Sequence, residues 1–388
     1  MTARDDFGRL WPAPDQQLLI EAATADAGRA EAAFRKWRSG VNLDDEFRLS
    51  VLRLIPLAYH NLLRIGVSDP LMIRLKGSYR RAWYDAQQLF HRCRPAVELL
   101  LDRGLEVMLT KGAPLALSYY GNLAVRPMSD IDVCVRPTKA RVAIDLLRKA
   151  GWMPLSRPTS SFLRFKHGLQ FNHPDGGQID LHWSPIREAL GALAAEWAWE
   201  ESEPLDFLGL AVRQPTPAVM LLHQIVHGVR LSNETQVRWI PDCLTVMRVR
   251  GHDLDWARVT QGGRRLKVSR RVALGLRHLV ERYDAAVPPE VLSTLEQAPR
   301  AVPERLEEMV YLGDYERHSN NPFGVGLILL TDLCRVVSPS RPIALAAAVP
   351  GFVAHRMNIG ARRNLLPALW RVARRRATDE KPQLYVTE

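Results

Sequence analysis

An α+β fold with a small mixed sheet at its centre is predicted by three features of the sequence. Apolar spacing is helical up to about residue 100 and again after Pro185. Strand-like alternation is confined to 105–185. No Gly-x-Gly-x-x-Gly turn follows the first strand, which excludes a dinucleotide-binding doubly wound domain. The expected division is an N-terminal helical region over 1–100, a mixed sheet of about four strands with helices on one side over 101–186, and a C-terminal helical region over 187–388.

The first strong helix runs from Leu49 to Gly66, where apolar residues recur every three or four positions and glycine provides the stop. A second follows Ser68-Asp69-Pro70, and Pro95 is expected to split it, since an internal proline removes a backbone hydrogen bond. The pattern changes at Leu105. The run LEVMLT reads as a short strand, Pro114 to Tyr120 as a helix, Ile131 to Val135 as a strand, and the amphipathic stretch closed by Gly151 as a helix. Phe162–Asn172 and Gln178–Trp183 read as the arms of a hairpin around Pro174-Asp175-Gly176-Gly177. Helices separated by Pro or Gly are expected from Pro185 to the end, with a break at Ser319-Asn320-Asn321-Pro322 and a basic amphipathic helix carrying Leu369, Trp370, Arg371, Arg374, Arg375 and Arg376.

With 388 residues, 47% of them hydrophobic, the chain is long and apolar enough for two or three packed modules. Its net charge of +11 permits phosphate-rich partners, but the excess is scattered arginine, as expected of a solvated basic surface. Cys93, Cys134, Cys243 and Cys334 are far apart and form no Cys-x-x-Cys pair, so neither a disulfide framework nor a zinc site is expected and a reducing cytoplasm fits. The opening residues lack the pattern of a secretory signal. The apolar run Pro342–Val353 is too short to span a bilayer, so no integral membrane segment is expected.

Chemistry concentrates between Glu106 and Pro137. Lys111-Gly112 falls where a strand turns into a helix, so backbone N–H groups and a helix start face any anion placed there. Asp130 and Asp132 then flank Ile131, and alternation sets both carboxylates on one face while Ile131 and Val133 face the core. Strands are depleted in Asp, and two carboxylates side by side call for a cation. In the hairpin's second arm Ile179, Leu181 and Trp183 share one face, and Asp180 shares the other with His182. Three strand carboxylates suit phosphoryl transfer with two divalent ions about 3.5–4 Å apart.

Lys111-Gly112, Tyr119-Tyr120-Gly121, Arg126-Pro127-Met128-Ser129 and the following Asp-Ile-Asp-Val together resemble the polymerase-β-like nucleotidyltransferase superfamily, in particular its branch of uncharacterised bacterial nucleotidyltransferases. The resemblance covers about 105–185. It implies an NTP donor, Mg²⁺ or Mn²⁺ held by Asp130, Asp132 and Asp180, and a phosphate turn at Gly112. Lys111, Arg126 and Ser129 are the further candidates for contact with nucleotide or phosphate. The implied reaction moves a nucleoside monophosphate onto an acceptor hydroxyl or phosphate and releases pyrophosphate. Two departures stand out: Ala113 offers no hydroxyl where the superfamily has a second Gly or a Ser, and the spacer to Asp130 is long.

Since the sequence has no RNP, KH or zinc-knuckle pattern, a small-molecule, peptide or protein acceptor is expected over RNA. Competing readings are a catalytically silent nucleotide-binding scaffold, which Ala113 keeps open, and an RNA-modifying toxin-like enzyme. Several residues also have plain structural readings. Asp180 can pair with Arg164 or Lys166 across the hairpin, Tyr119 and Tyr120 can pack, and His223 and His227, one helical turn apart, can be core residues. Asp242 and Asp255 can cap helices or form salt bridges, or orient a helix against the core.

Overall fold

Side-chain alternation in three short apolar runs is enough to start a sheet, and it does so around the predicted centre. In the computed structural model, residues 10–40, 49–158, 162–189, 192–230, 236–312 and 322–356 are described. The strands are β1 (Met108–Thr110), β2 (Ile131–Cys134), β3 (Met153–Pro154), β4 (Gly168–Asn172), β5 (Gln178–His182), β6 (Ser202–Phe207) and β7 (Leu210–Pro215). They form one seven-stranded mixed sheet in the order β3-β4-β5-β2-β1-β7-β6. β2 runs antiparallel to β1 and parallel to β5, and β1 runs parallel to β7.

The sheet is therefore larger than the expected four strands. The correction lies mostly in the hairpin β6–β7, within a region whose sequence reads as helical. Its six-residue arms alternate in burial, but Pro204 interrupts one of them and the turn is Leu208-Gly209 instead of a strong Asn-Gly signal. The first predicted arm of the other hairpin is also shorter than expected: Phe162–Phe165 forms a helical turn, and only Gly168–Asn172 pairs as a strand.

Helices surround this sheet: α1 (Pro14–Thr24), α2 (Ala27–Ser39), α3 (Ile55–Arg64) and α4 (Met72–Asp102) precede it, and α5 (Ala140–Lys149) and α6 (Ala192–Glu200) are interleaved with it. After it come α7 (Pro217–Gly228), α8 (Trp239–Arg250), α9 (Trp256–Arg265), α10 (Ser269–Tyr283), α11 (Pro289–Glu296), α12 (Val302–Leu312), α13 (Pro322–Val336) and α14 (Pro342–Arg356). The predicted basic terminal helix lies outside the described residues. Among those residues no helix is long and apolar enough to cross a membrane, and all four cysteines are unpaired and buried.

Pro95 does not split its helix: α4 runs unbroken for 31 residues. An internal proline costs ~3 kcal/mol. Phe90, Val97 and Leu100 on the same helix are buried against the sheet, and each such side chain returns about 1.5–3 kcal/mol. Pro95 itself is exposed, so the carbonyl it leaves unpaired one turn earlier meets water.

Two cores result. One lies between the sheet and α4 with α5, and contains Leu109, Ile131, Val133, Leu181, Ile144 and Leu147. The other joins helices from both ends of the chain: Leu19, Phe34 and Leu62 pack in one cluster with Leu221, Ile225, Val246 and Leu276, together with Leu115 and Tyr119 from the β region.

The β6–β7 turn yields a stability prediction. Leu208 (φ 54°) and Gly209 (φ 83°) both occupy positive φ in a two-residue loop, the turn that favours Asn-Gly. Leu208 is 43% exposed and has little packing to lose. Leu208→Asn should raise unfolding free energy by about 0.5–1 kcal/mol in urea denaturation.

Candidate active site

The site is set by strand register. In the parallel pairing of β2 with β5, Asp132 stands opposite Asp180 and Cys134 opposite His182, while across the antiparallel pairing Thr110 stands opposite Asp132. Alternation puts Thr110, Asp132, Asp180 and His182 on the face away from Ile131, Val133, Ile179 and Leu181. Met108 and Cys134 share that polar face and pack on Trp199 of α6, which helps close it from water.

Among the described residues, Asp132, Asp180 and His182 each offer a donor atom within 4.8 Å of the others. His182 Nε2 lies 2.9 Å from Asp132 Oδ1 and 3.1 Å from Asp180 Oδ2, and its ring is fully buried. Lys111 comes to the same place from the end of β1. Its ammonium pairs with Asp132 Oδ1 and lies 3.5 Å from His182 Nε2. Lys111 holds φ 52°, uncommon for a residue with a Cβ, so the junction keeps some backbone strain while aiming this side chain at the carboxylates.

The electrostatics follow from burial and proximity. Burial alone would weaken the Lys111 ammonium, but Asp132, Asp180 and Asp130 outweigh it and its pKa is raised. Burial likewise disfavours ionised Asp132, yet Lys111 and His182 hold it below the ordinary carboxylate range. Asp180 is also held low despite burial, chiefly by His182. For His182 the two carboxylates win over burial and lift it to about 9.

Asp130 stands apart. It lies one residue before β2, half-buried, with no hydrogen-bond or ion-pair partner among the described residues, and burial reinforced by Asp132 pushes it up to about 6. A group of acids with one member left protonation-prone is short of positive charge. Two carboxylates and an imidazole, with a third carboxylate at the edge, are a donor set that fits a divalent ion. Thr110 Oγ1, buried on this same face, has no partner among the described residues either.

The other predicted residues are placed less uniformly. Gly112 begins a helical turn that continues as a wider π-type turn over Leu115–Tyr120. A Cβ at Gly112 would stand 2.5 Å from Met128 Sδ, so the glycine here lets the 126–130 loop press onto the turn. Ser129 is exposed. Arg126 is buried and bound to Asp242: Nε donates to Oδ1 at 2.8 Å and Oδ2 at 3.0 Å, and Nη2 lies 2.8 Å from Oδ2. Tyr120 donates to the same carboxylate at 3.0 Å, while Tyr119 packs in the helical core. Asp242 thus orients α8 against the β region through a salt bridge, and Asp255 caps α9 by accepting from Arg258 N.

Two residues outside the predicted set of site residues carry weight here. His182 completes the charged group, and its parity with Asp180 was the available signal. Arg238, just ahead of α8, donates to Pro127 O at 2.7 Å, and nothing local in the sequence ties it to a loop more than a hundred residues earlier.

His223 and His227 of α7 lie behind the site with rings 6.4 Å apart. Burial, with the Lys111 ammonium adding to it, pushes His223 down to about 3. Folded His223 therefore stays neutral where an unfolded imidazole, titrating near 6.5, takes up a proton. This contribution is absent above the unfolded pKa and becomes a loss of stability as pH falls from about 6.5 toward 3. At about pH 5 it should amount to ~2 kcal/mol. Urea denaturation at about pH 7 and pH 5 should show the loss, and His223→Gln should reduce it by that amount.

No curated protein matches the chain. Solved structures similar to it include two described as follows. The crystal structure of an antigenic nucleotidyltransferase-like protein from Paracoccidioides brasiliensis is 15% identical, with 56% of this chain and 95% of that one covered and a TM-score of 0.35. The solution structure of the antibiotic-resistance factor ANT(2'')-Ia is 13% identical, with 51% of this chain and 97% of that one covered and a TM-score of 0.34. A family model described as an uncharacterised nucleotidyltransferase matches residues 49–284, from the helical turn before α3 to the end of α10 and well over half of the sequence. The chain belongs to this family of uncharacterised nucleotidyltransferases.

Proposed function

We propose that this protein transfers a nucleoside monophosphate from an NTP to an acceptor hydroxyl or phosphate, releasing pyrophosphate, with Mg²⁺ or Mn²⁺ as cofactor. The observation that carries this reading is the in-register pairing that sets Asp132 beside Asp180, with Asp130 one residue before β2. Family membership supports the reaction class.

Asp132 and Asp180 would hold the divalent ion, and Asp130, the carboxylate without a partner, would join them at the mouth of the site. Such an ion neutralises phosphate charge and acidifies an acceptor hydroxyl when bound. The chain's own residues do the positioning. His182 Nε2, in reach of both aspartates, holds the two carboxylates at a fixed spacing. The Lys111 ammonium balances their charge in the resting site and is a side-chain cation available to an incoming phosphate. Ser129, exposed beside Asp130, can donate to a phosphate oxygen. Arg126 acts through Asp242, fixing the loop that delivers Asp130. An acceptor that is a small molecule, peptide or protein is favoured over RNA on sequence grounds alone.

The direct test incubates the protein with Mg²⁺, each α-labelled NTP and cell extract or candidate acceptors, following label transfer and pyrophosphate release. Asp132→Asn and Asp180→Asn should each lower transfer by at least ~10³-fold, several kcal/mol of transition-state stabilisation, in variants that circular dichroism shows to be folded. Label transfer by Asp132→Asn at the wild-type rate would remove the metal site from the reaction. A separate prediction concerns Lys111. Replacing it by Met, of similar length and no charge, should tighten Mn²⁺ binding without nucleotide by about tenfold, because the ion no longer competes with a tethered ammonium. Titration followed by Mn²⁺ electron paramagnetic resonance measures this.

A further inference from the structure

We propose that Arg238 is the receptor for the donor's β- and γ-phosphates, the part that leaves as pyrophosphate. The inference rests on the nucleotidyltransferase reading above and adds to it a residue from the helical region.

Guanidinium pairing on this side of the site is unbalanced. Arg126 and Arg238 converge on one backbone oxygen: Arg238 Nη1 donates to Pro127 O at 2.7 Å, and Arg126 Nη1 lies 3.5 Å from the same atom. Asp242 is a carboxylate whose charge acts on both, and Arg126 takes both of its oxygens while Tyr120 takes a further lone pair of Oδ1. Arg238 has no carboxylate partner among the described residues. A guanidinium carries five N–H donors in a planar fork, and most of this one's remain unused. Burial, followed by the nearby Arg126 and Arg53, lowers the proton affinity of Arg238 well below that of an ordinary arginine, as expected of a cation that lacks its anion.

Position selects the anion. Pro127 is three residues before Asp130, and Met128 between them presses on Gly112, so the loop touching Arg238 also covers the turn after Lys111. Asp130 is itself among the charges that act on Arg238. Arg238 is part-buried, with one of its N–H groups given to Pro127 O. An anion presented beside Asp130 and Lys111 in a nucleotidyltransferase is the polyphosphate of the donor, and a planar fork binds phosphate oxygens in pairs.

The test uses the full chain with Mg²⁺ and measures binding of inorganic pyrophosphate, of the NTP that the wild type binds most tightly, and of the matching monophosphate by calorimetry. Arg238→Gln should weaken pyrophosphate and NTP binding at least tenfold and leave the monophosphate within about twofold. Arg238→Lys, which keeps the charge and loses the fork, should lie between. The lysine variant carries the test alone if the glutamine variant does not fold. In turnover, the inhibition constant for pyrophosphate should rise with the KM for NTP. Unchanged pyrophosphate binding in a folded variant overturns the proposal. Equal loss for monophosphate and triphosphate also overturns it, since Arg238 would then act only by holding the Pro127 loop. Failure of the wild type to bind any NTP defeats the parent reading instead, so the two failures are distinguishable.

Discussion

Everything at the centre of this protein depends on one strand pairing that electrostatics alone would forbid. Setting Asp132 beside Asp180 on adjacent parallel strands brings two carboxylates within 4.8 Å. At an effective dielectric of about 20, their repulsion is roughly 3–4 kcal/mol. That is a large share of a domain's net stability, so the fold must supply positive charge locally. It does so twice, with Lys111 from the end of β1 and His182 from β5, both in reach of Asp132 Oδ1. Neither cation could be placed without β1 and β5 flanking β2, so sheet order and charge balance are one constraint. The strained backbone at Lys111 belongs to the same constraint, because the chain must leave β1 sharply to bring the ammonium back over the sheet.

A second constraint ties the helical regions to the sheet. Breaking a buried ion pair on one side costs about 3–5 kcal/mol, so Arg126 and Asp242 must stay together wherever they are buried. Arg126 sits in the loop before β2 and Asp242 on α8, so the pair locks the orientation of α8 to the loop that carries Asp130. The helices before and after the sheet also share one apolar core. The family match reflects the same unity: it starts in the N-terminal helices and ends in the C-terminal ones, far beyond the β region.

These relations explain what could be read from the sequence. Alternation is local, so β2, β5 and the facing of Asp132, Asp180 and His182 were legible from runs of five residues. The hairpin at Pro174–Gly177 was legible because its turn residues demand a turn wherever they occur. β6 and β7 were not. Their place in the sheet comes from pairing with β1 about a hundred residues earlier, and the Leu208-Gly209 turn has half the usual signal. Pro95 misled for a related reason, since its local penalty is outweighed by burial that only the tertiary fold creates. Arg126 was legible as a basic residue near the site, but its partner Asp242 was not, so a residue expected to meet phosphate is found committed to a carboxylate 116 positions away. Arg238 is the counterpart, silent in sequence and left with spare donors by the same pairing.

Within the proposed reading, the two basic groups divide the work of receiving a charged donor. Lys111 already has its anion, so its charge is spent at rest on Asp132 and becomes available only when another cation takes that place. Arg238 has no such partner among the described residues and is ready for an anion at once. A donor entering with its divalent ion brings both requirements together: the ion offers the aspartates a better counter-charge than a tethered ammonium, and the polyphosphate offers Arg238 an anion. Each event lowers the cost of the other, because the Lys111 ammonium released from Asp132 finds phosphate charge nearby. Ion and nucleotide should therefore bind more tightly together than the separate affinities imply. The origin of that coupling is the resting contact between Lys111 and Asp132, the same contact that lets β2 and β5 lie side by side.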